Sequence, residues 1–254
     1  MKKNSILNRI LQCGLFLLTV PTTASAQGGV PLLTDDASTI DKNHWEINLS
    51  SIMQRTTDEA VYEAPLLDIN YGLIDHVQLN YQIPLAIRHE HESTTIGGIG
   101  KSNFGIKWNI FSEDSGAMAI GTFPQLIYIN SNQAVDRGVV DKGTVFFLPV
   151  SFQKTVDKNS FVVQLGRLIV THDRGLWTYG LLYVREISEA FELAAELNGS
   201  AAPALEEAET FVNIGTRIKF SKMFALLLSA GRNIIVHPDA ENTFIGFVGL
   251  QTSF

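Results

Sequence analysis

The chain has one cysteine in 254 residues, Cys13. A single thiol excludes a disulfide framework and a thiolate metal or redox site. Long apolar runs are also missing: apart from Ile10 to Val20, nothing approaches the roughly 20 residues a membrane-spanning helix requires. Basic residues are few, 19 Lys and Arg against 26 Asp and Glu, for a formal charge of −7. That balance disfavours a nucleic-acid partner. Yet 45% of the residues are hydrophobic. A chain this apolar with no helix-length run must hide its apolar residues by alternation.

The amino end reads as a secretory signal peptide. Lys2, Lys3 and Arg9 precede the apolar run, and Ala24-Ser25-Ala26 forms a small-x-small cleavage site before Gln27. Residues 1–26 are therefore expected to be removed, leaving a lead or plug segment over 27–43 and a barrel over 44–254. Loss of the signal leaves sixteen basic residues against the same 26 acidic ones.

Alternation then runs through the remainder. Trp45, Ile47 and Leu49 interleave with Glu46, Asn48 and Ser50; Phe104, Ile106, Trp108 and Ile110 interleave with Asn103, Gly105, Lys107 and Asn109. The pattern predicts strands near 44–54, 64–71, 76–87, 101–111, 117–129, 144–155, 161–171, 175–186, 190–199, 209–220, 223–234 and 243–254. That is about twelve, each close to the length of a tilted bilayer-spanning strand. Links after the even-numbered strands are short and turn-like, such as Asp157-Lys158-Asn159-Ser160, whereas most others are longer and polar, such as 88–100 and 130–143. Short turns alternating with long loops, with both termini on the short-turn side, predict an all-β fold: a transmembrane antiparallel up-and-down β-barrel in the bacterial outer membrane, its short turns periplasmic. A β-sandwich has no reason to alternate its loops this way.

Details sharpen the expectation. The last strand ends on Phe254, outward by parity, which resembles the C-terminal signature read by the barrel assembly machinery. Trp45, Tyr71, Phe111, Phe161, Phe191, Phe220 and Phe224 cluster near the short-turn rim, as an interfacial girdle would. Pro124 and Pro149 lack ladder donors and imply broken pairing nearby. Arg167 falls on the lipid face with Val163, Leu165 and Ile169, so a bulge that turns it inward is expected.

Placing the apolar residues outward leaves Glu46, Asp68, Lys107, Glu192, Glu196, Arg217 and Lys219 as candidate channel-lining residues. The same groups could instead pair across the interior and fill it. Asp35 and Asp36 are plug candidates that could cap a turn, hold a cation weakly, or pair with Arg217 and Lys219. No catalytic residue, cofactor or metal site is expected: His89-Glu90-His91 and His172-Asp173 lack the surrounding motif that a metal or a nucleophile would require.

Gly29 to Thr39, then His44-Trp45-Glu46-Ile47-Asn48, then Leu67 to Leu79 resemble the MetA-pathway of phenol degradation family of outer-membrane, transporter-like barrels. The resemblance implies a passive channel or uptake barrel for small solutes, aromatic or hydrophobic ones among them, with outer-membrane lipid and the assembly machinery as partners. The alternative is a closed structural or interaction barrel that works through its extracellular loops.

Overall fold

The computed structural model describes residues 31–90, 95–115, 117–171, 175–202, 208–235 and 242–254. The expected signal peptide lies outside them. Twelve antiparallel strands form the wall: β1 Trp45–Arg55, β2 Glu59–Ile74, β3 Val77–Glu90, β4 in two pieces (Ile96–Ile99 and Ser102–Phe111), β5 in two pieces (Ala119–Thr122 and Gln125–Tyr128), β6 Val145–Val156, β7 Asn159–Val170, β8 Leu176–Ser188, β9 Phe191–Ala201, β10 Glu209–Lys219, β11 Phe224–Ile235 and β12 Phe244–Ser253. Each pairs with its neighbours in sequence, and β12 returns to β1 with Glu46 opposite Ser253 and Arg55 opposite Phe244. The sheet is closed. No backbone edge faces the membrane, which is the condition for strands to cross it.

The side chains are arranged inside out. On β7, Leu165 is 56% exposed while its neighbour Gln164 is 2% exposed. Phe161, Val163 and Ile169 share the exposed face, and Asn48, Asp68 and Glu196 are buried on the inner faces of their strands. A soluble sheet buries its apolar face. This one turns that face toward lipid.

Two differences from the sequence reading concern strand irregularity. β7 pairs without a register shift on either side, so the bulge expected to turn Arg167 inward does not exist. Arg167 stays outward at the long-loop end, its Cζ 5.0 Å from the centre of the Trp177 ring. An outward cation costs about 2–4 kcal/mol at mid-bilayer but only about 0–1 near the interface, and stacking on an interfacial indole lowers that further. The position needs no bulge. β2 begins at Glu59 instead of 64, because Thr56-Thr57-Asp58 closes a tight hairpin: the Glu59 carbonyl accepts from the Thr56 amide at 2.9 Å, and the Thr56 hydroxyl accepts from the Glu59 amide at 3.2 Å. The β2–β3 pairing shifts register twice, between Glu63 and Leu66, at Ala64-Pro65, and between Gly72 and Ile74.

The two prolines weighed in the sequence fall together. β5 is broken at Phe123-Pro124, and Pro149 of β6 lies opposite that break, between Phe147, which pairs with Gln125, and Val150, which pairs with Thr122. The Thr122 hydroxyl donates to the Pro149 carbonyl at 2.7 Å across the gap.

The loop after β5 is not the free polar loop its composition suggests. It carries a short helix, α1 (Asn132–Asp136), and folds into the mouth, where Ala134 and Val139 pack on the inward-facing Ala86 of β3 with Ile96 and Val140 alongside.

Candidate functional site: the lumen and its N-terminal segment

Residues 31–40 run inside the barrel, and the exposed residues 41–44 lead into β1 at the short-turn end. A backbone in a lumen needs partners for its amides and carbonyls, since each buried group left unpaired costs about 1–3 kcal/mol. The wall supplies them from side chains. Glu196 accepts from the Leu33 amide at 3.2 Å and from the Thr34 amide; Gln153 accepts from Ala37 at 3.0 Å, and Gln78 accepts from Ile40 at 3.1 Å. In the other direction Ser229 donates to the Pro31 carbonyl at 2.6 Å, Ser151 and Gln164 donate to Asp35 at 2.8 and 3.2 Å, and Asn109 donates to Ala37 at 2.8 Å. These partners come from β3, β4, β6, β7, β9 and β11. The segment is therefore held from all round the wall.

The wall is also cut to its shape. A Cβ on Gly72 would lie 1.9 Å from the Asp41 carbonyl oxygen, and one on Gly121 would lie 2.9 Å from the Ala37 Cα. Both contacts are with backbone, which cannot swing aside, so only glycine admits the segment at these two places. Thr34, Asp36 and Ala37 are wholly buried as a result.

Among the described residues an ion pair joins wall and segment. The Lys107 ammonium donates to the Asp36 carboxylate with both side chains buried. Lys107 thus holds the segment through Asp36, a partner that was not among the alternatives the sequence offered for that residue. Lys219 donates to Glu192 at 2.5 Å within the wall, and Arg217 faces inward beside Glu192 in the β9–β10 register. Turn capping is not the role of Asp36. Asp35 instead uses its carbonyl as an acceptor and lines a cavity.

The other candidates lie on the inner wall. Glu46 is buried near the short-turn end. Asp68 accepts from Asn48 at 2.9 Å, Asn80 at 2.6 Å and Asn70 at 3.2 Å. Glu196, besides clamping the segment, accepts from Asn213 at 2.7 Å. Phe254 points outward at the rim.

Cavities among the described residues follow the lumen. One of about 430 Å³ opens at the long-loop mouth beside Glu59, Arg88 and Asp141. It adjoins a second of about 250 Å³, since Gln54, Leu66 and Gln82 line both. Pro31, Leu32, Leu33 and Asp35 of the segment line that second cavity. The third, about 490 Å³, opens at the short-turn end between Ser38 to Lys42 and the turns carrying His76 and Glu113. There burial works to raise the Glu113 pKa, but hydrogen bonds from Thr155 and the Lys154 ammonium outweigh it and hold the carboxyl below its ordinary value. The segment at Thr34 to Ala37 separates the second cavity from the third.

The sequence reading placed the apolar residues outward and charged ones of both signs inward. Part of the lumen is apolar: Val162, Leu182, Val184 and Ala194 form an inner patch covered by Leu32, and Phe123, Phe147 and Phe247 line the central cavity. Among the described residues no three His, Cys, Asp or Glu side chains converge on a metal position. His91 and the His172-Asp173 pair lie outside the described residues.

Comparison with solved structures places the architecture. The COG4313 outer membrane channel from Pseudomonas putida F1 superposes with a TM-score of 0.71, covering 88% of this chain and all of that one at 11% identity. The fold is that of an outer-membrane β-barrel. The KdgM porin and the NanC porin each superpose with a TM-score of 0.57, at 12% and 7% identity, covering 82% and 81% of this chain and 99% and 98% of theirs. No protein-family model matches the chain, and no curated protein matches its sequence. The resemblance to the phenol-degradation family therefore rests on the quoted residues between 29 and 79 alone.

Proposed function

We propose that this protein is an outer-membrane channel for small solutes whose lumen is closed at rest by its own N-terminal segment. The observation that carries this is the pair of adjoining cavities leading inward from the long-loop mouth and stopped by residues 34–37. Among the described residues, 31–40 are held by side-chain hydrogen bonds and an ion pair and share no strand ladder with the wall, so they can leave while the barrel stays intact. Porin and channel neighbours of the same fold support a passive route, although fold alone does not carry function. Rings at Phe123, Phe147 and Phe247 support solutes with an apolar or aromatic body. Glu46, Asp68, Lys107, Glu192, Glu196, Arg217 and Lys219 then line or brace the route.

The closed structural barrel is favoured by a different observation, the hydrogen bonds from six strands that seat the segment. Planar-bilayer conductance separates the two readings. A channel shows discrete openings; a closed barrel shows none with the segment present or removed.

A further inference from the structure

The central cavity carries more information than its size. It measures about 250 Å³, and a cavity of about 150 Å³ suffices for benzene. One ring with a short polar arm fits within it. Its walls are aromatic and aliphatic at Phe123, Phe147, Phe247 and Ile245. Its ionisable groups are all of one sign: Asp35 and Asp68 reach it, while no Lys, Arg or His is among the described residues that line it.

Neither carboxylate is neutralised by a neighbour inside the cavity. Asp68 is held by three asparagine amides, which donate to its oxygens and bring no counter-charge. Asp35 has no hydrogen bond to its carboxylate from the described residues, and the nearby ammonium of Lys107 is engaged by Asp36. Ionised carboxylates only accept. Two of them in a confined, partly dry space attract a donor that carries positive charge, and ring faces favour the same charge.

From this we infer that the central cavity is a recognition site for small organic cations, an ammonium group borne on a single apolar ring, and that it rejects the matching carboxylates. The inference rests on the channel reading for the solute's route from the mouth, through the cavity that shares Gln54, Leu66 and Gln82. Recognition itself requires only the folded barrel with its N-terminal segment seated, since Asp35 belongs to that segment.

The test is calorimetric titration of the folded, detergent-solubilised full chain with benzylamine, benzyl alcohol and benzoate at neutral pH, where benzylamine is protonated. Benzylamine should bind at least about tenfold more tightly than the alcohol, and benzoate should not bind. Asp35→Asn, verified as folded by heat-modifiable gel mobility, should lose at least about tenfold toward benzylamine. Equal binding of all three compounds, no binding of benzylamine, or unchanged affinity in folded Asp35→Asn would each overturn the assignment. Should Asp35→Asn fail to fold, the ranking of the three compounds on the unmutated protein still decides it. Conductance is read separately. A barrel that binds benzylamine and never conducts overturns the channel reading and leaves the site standing, whereas one that conducts and ranks the three alike does the reverse.

Discussion

The Lys107 ammonium of β4 and the Asp36 carboxylate of the N-terminal segment form an ion pair buried inside the lumen. It joins two parts of the chain that share no strand pairing, and one Asp36 oxygen has no further partner. A buried pair of this kind is weak evidence for overall stability, but removing one member strands a charge at a cost of about 3–5 kcal/mol. It therefore acts as a latch on the segment.

Lys107→Met should release the segment while leaving the barrel folded. In an Ala37→Cys background, where the thiol replaces a side chain with no solvent exposure, Lys107→Met should raise the labelling rate by about two orders of magnitude, since about 1.4 kcal/mol is a factor of ten. Adding Asp36→Leu should restore slow labelling by removing the stranded charge. Equal rates in all three proteins would mean that the pair holds nothing.

Steric fit offers an independent route to the same state. Gly121→Val would drive a side chain into the Ala37 backbone and should unseat the segment. Gly246→Ala, on the lipid face with its nearest atom 3.4 Å away, should leave labelling at Ala37→Cys slow. A seated segment in Gly121→Val would show that the wall yields more easily than the glycine contacts imply.

Barrel closure rests on the last residues. The Trp45 amide donates to the Phe254 carbonyl at 2.7 Å and the Phe254 amide donates back to Trp45 at 3.0 Å, with the Phe254 ring turned to the membrane. Phe254→Asp should leave unfolded protein in the periplasm while Ser253→Asn assembles. Equal yields of heat-modifiable barrel from the two variants would separate Phe254 from assembly.

Topology can be read on whole cells. Asp141→Cys, at a mouth side chain 80% exposed, should label with an impermeant reagent, and Ala134→Cys, buried under the same loop, should not. Asp75→Cys in the short turn should label only after the outer membrane is opened. The opposite assignment of Asp141 and Asp75 would invert the barrel.

How far these features could be read beforehand differs by element. Strand number, strand faces and closure follow from local alternation, and β1, β6 and β12 each lie within one residue of the predicted ends because a period of two survives any partner. The hairpin at Thr56 to Asp58 was hidden because polar turn residues and polar loop residues look alike. Arg167 was misplaced because depth, which sets its cost, is not written in local parity. The partner of Asp36 was illegible for a deeper reason: it depends on which wall face a segment some 70 residues away meets. A signal for the segment did exist in the lumen-facing glycines Gly72 and Gly121. Each stands where alternation calls for an inward side chain, and each makes room for backbone.

The central claim, a passage closed by the chain's own N-terminal segment, is tested most directly by single-channel recording of the barrel with and without residues 31–40. The full chain should be closed for most of the record with brief openings, and the truncated barrel should hold a long-lived open level. A truncated barrel that folds, as judged by heat-modifiable mobility, and still passes no current would contradict the claim.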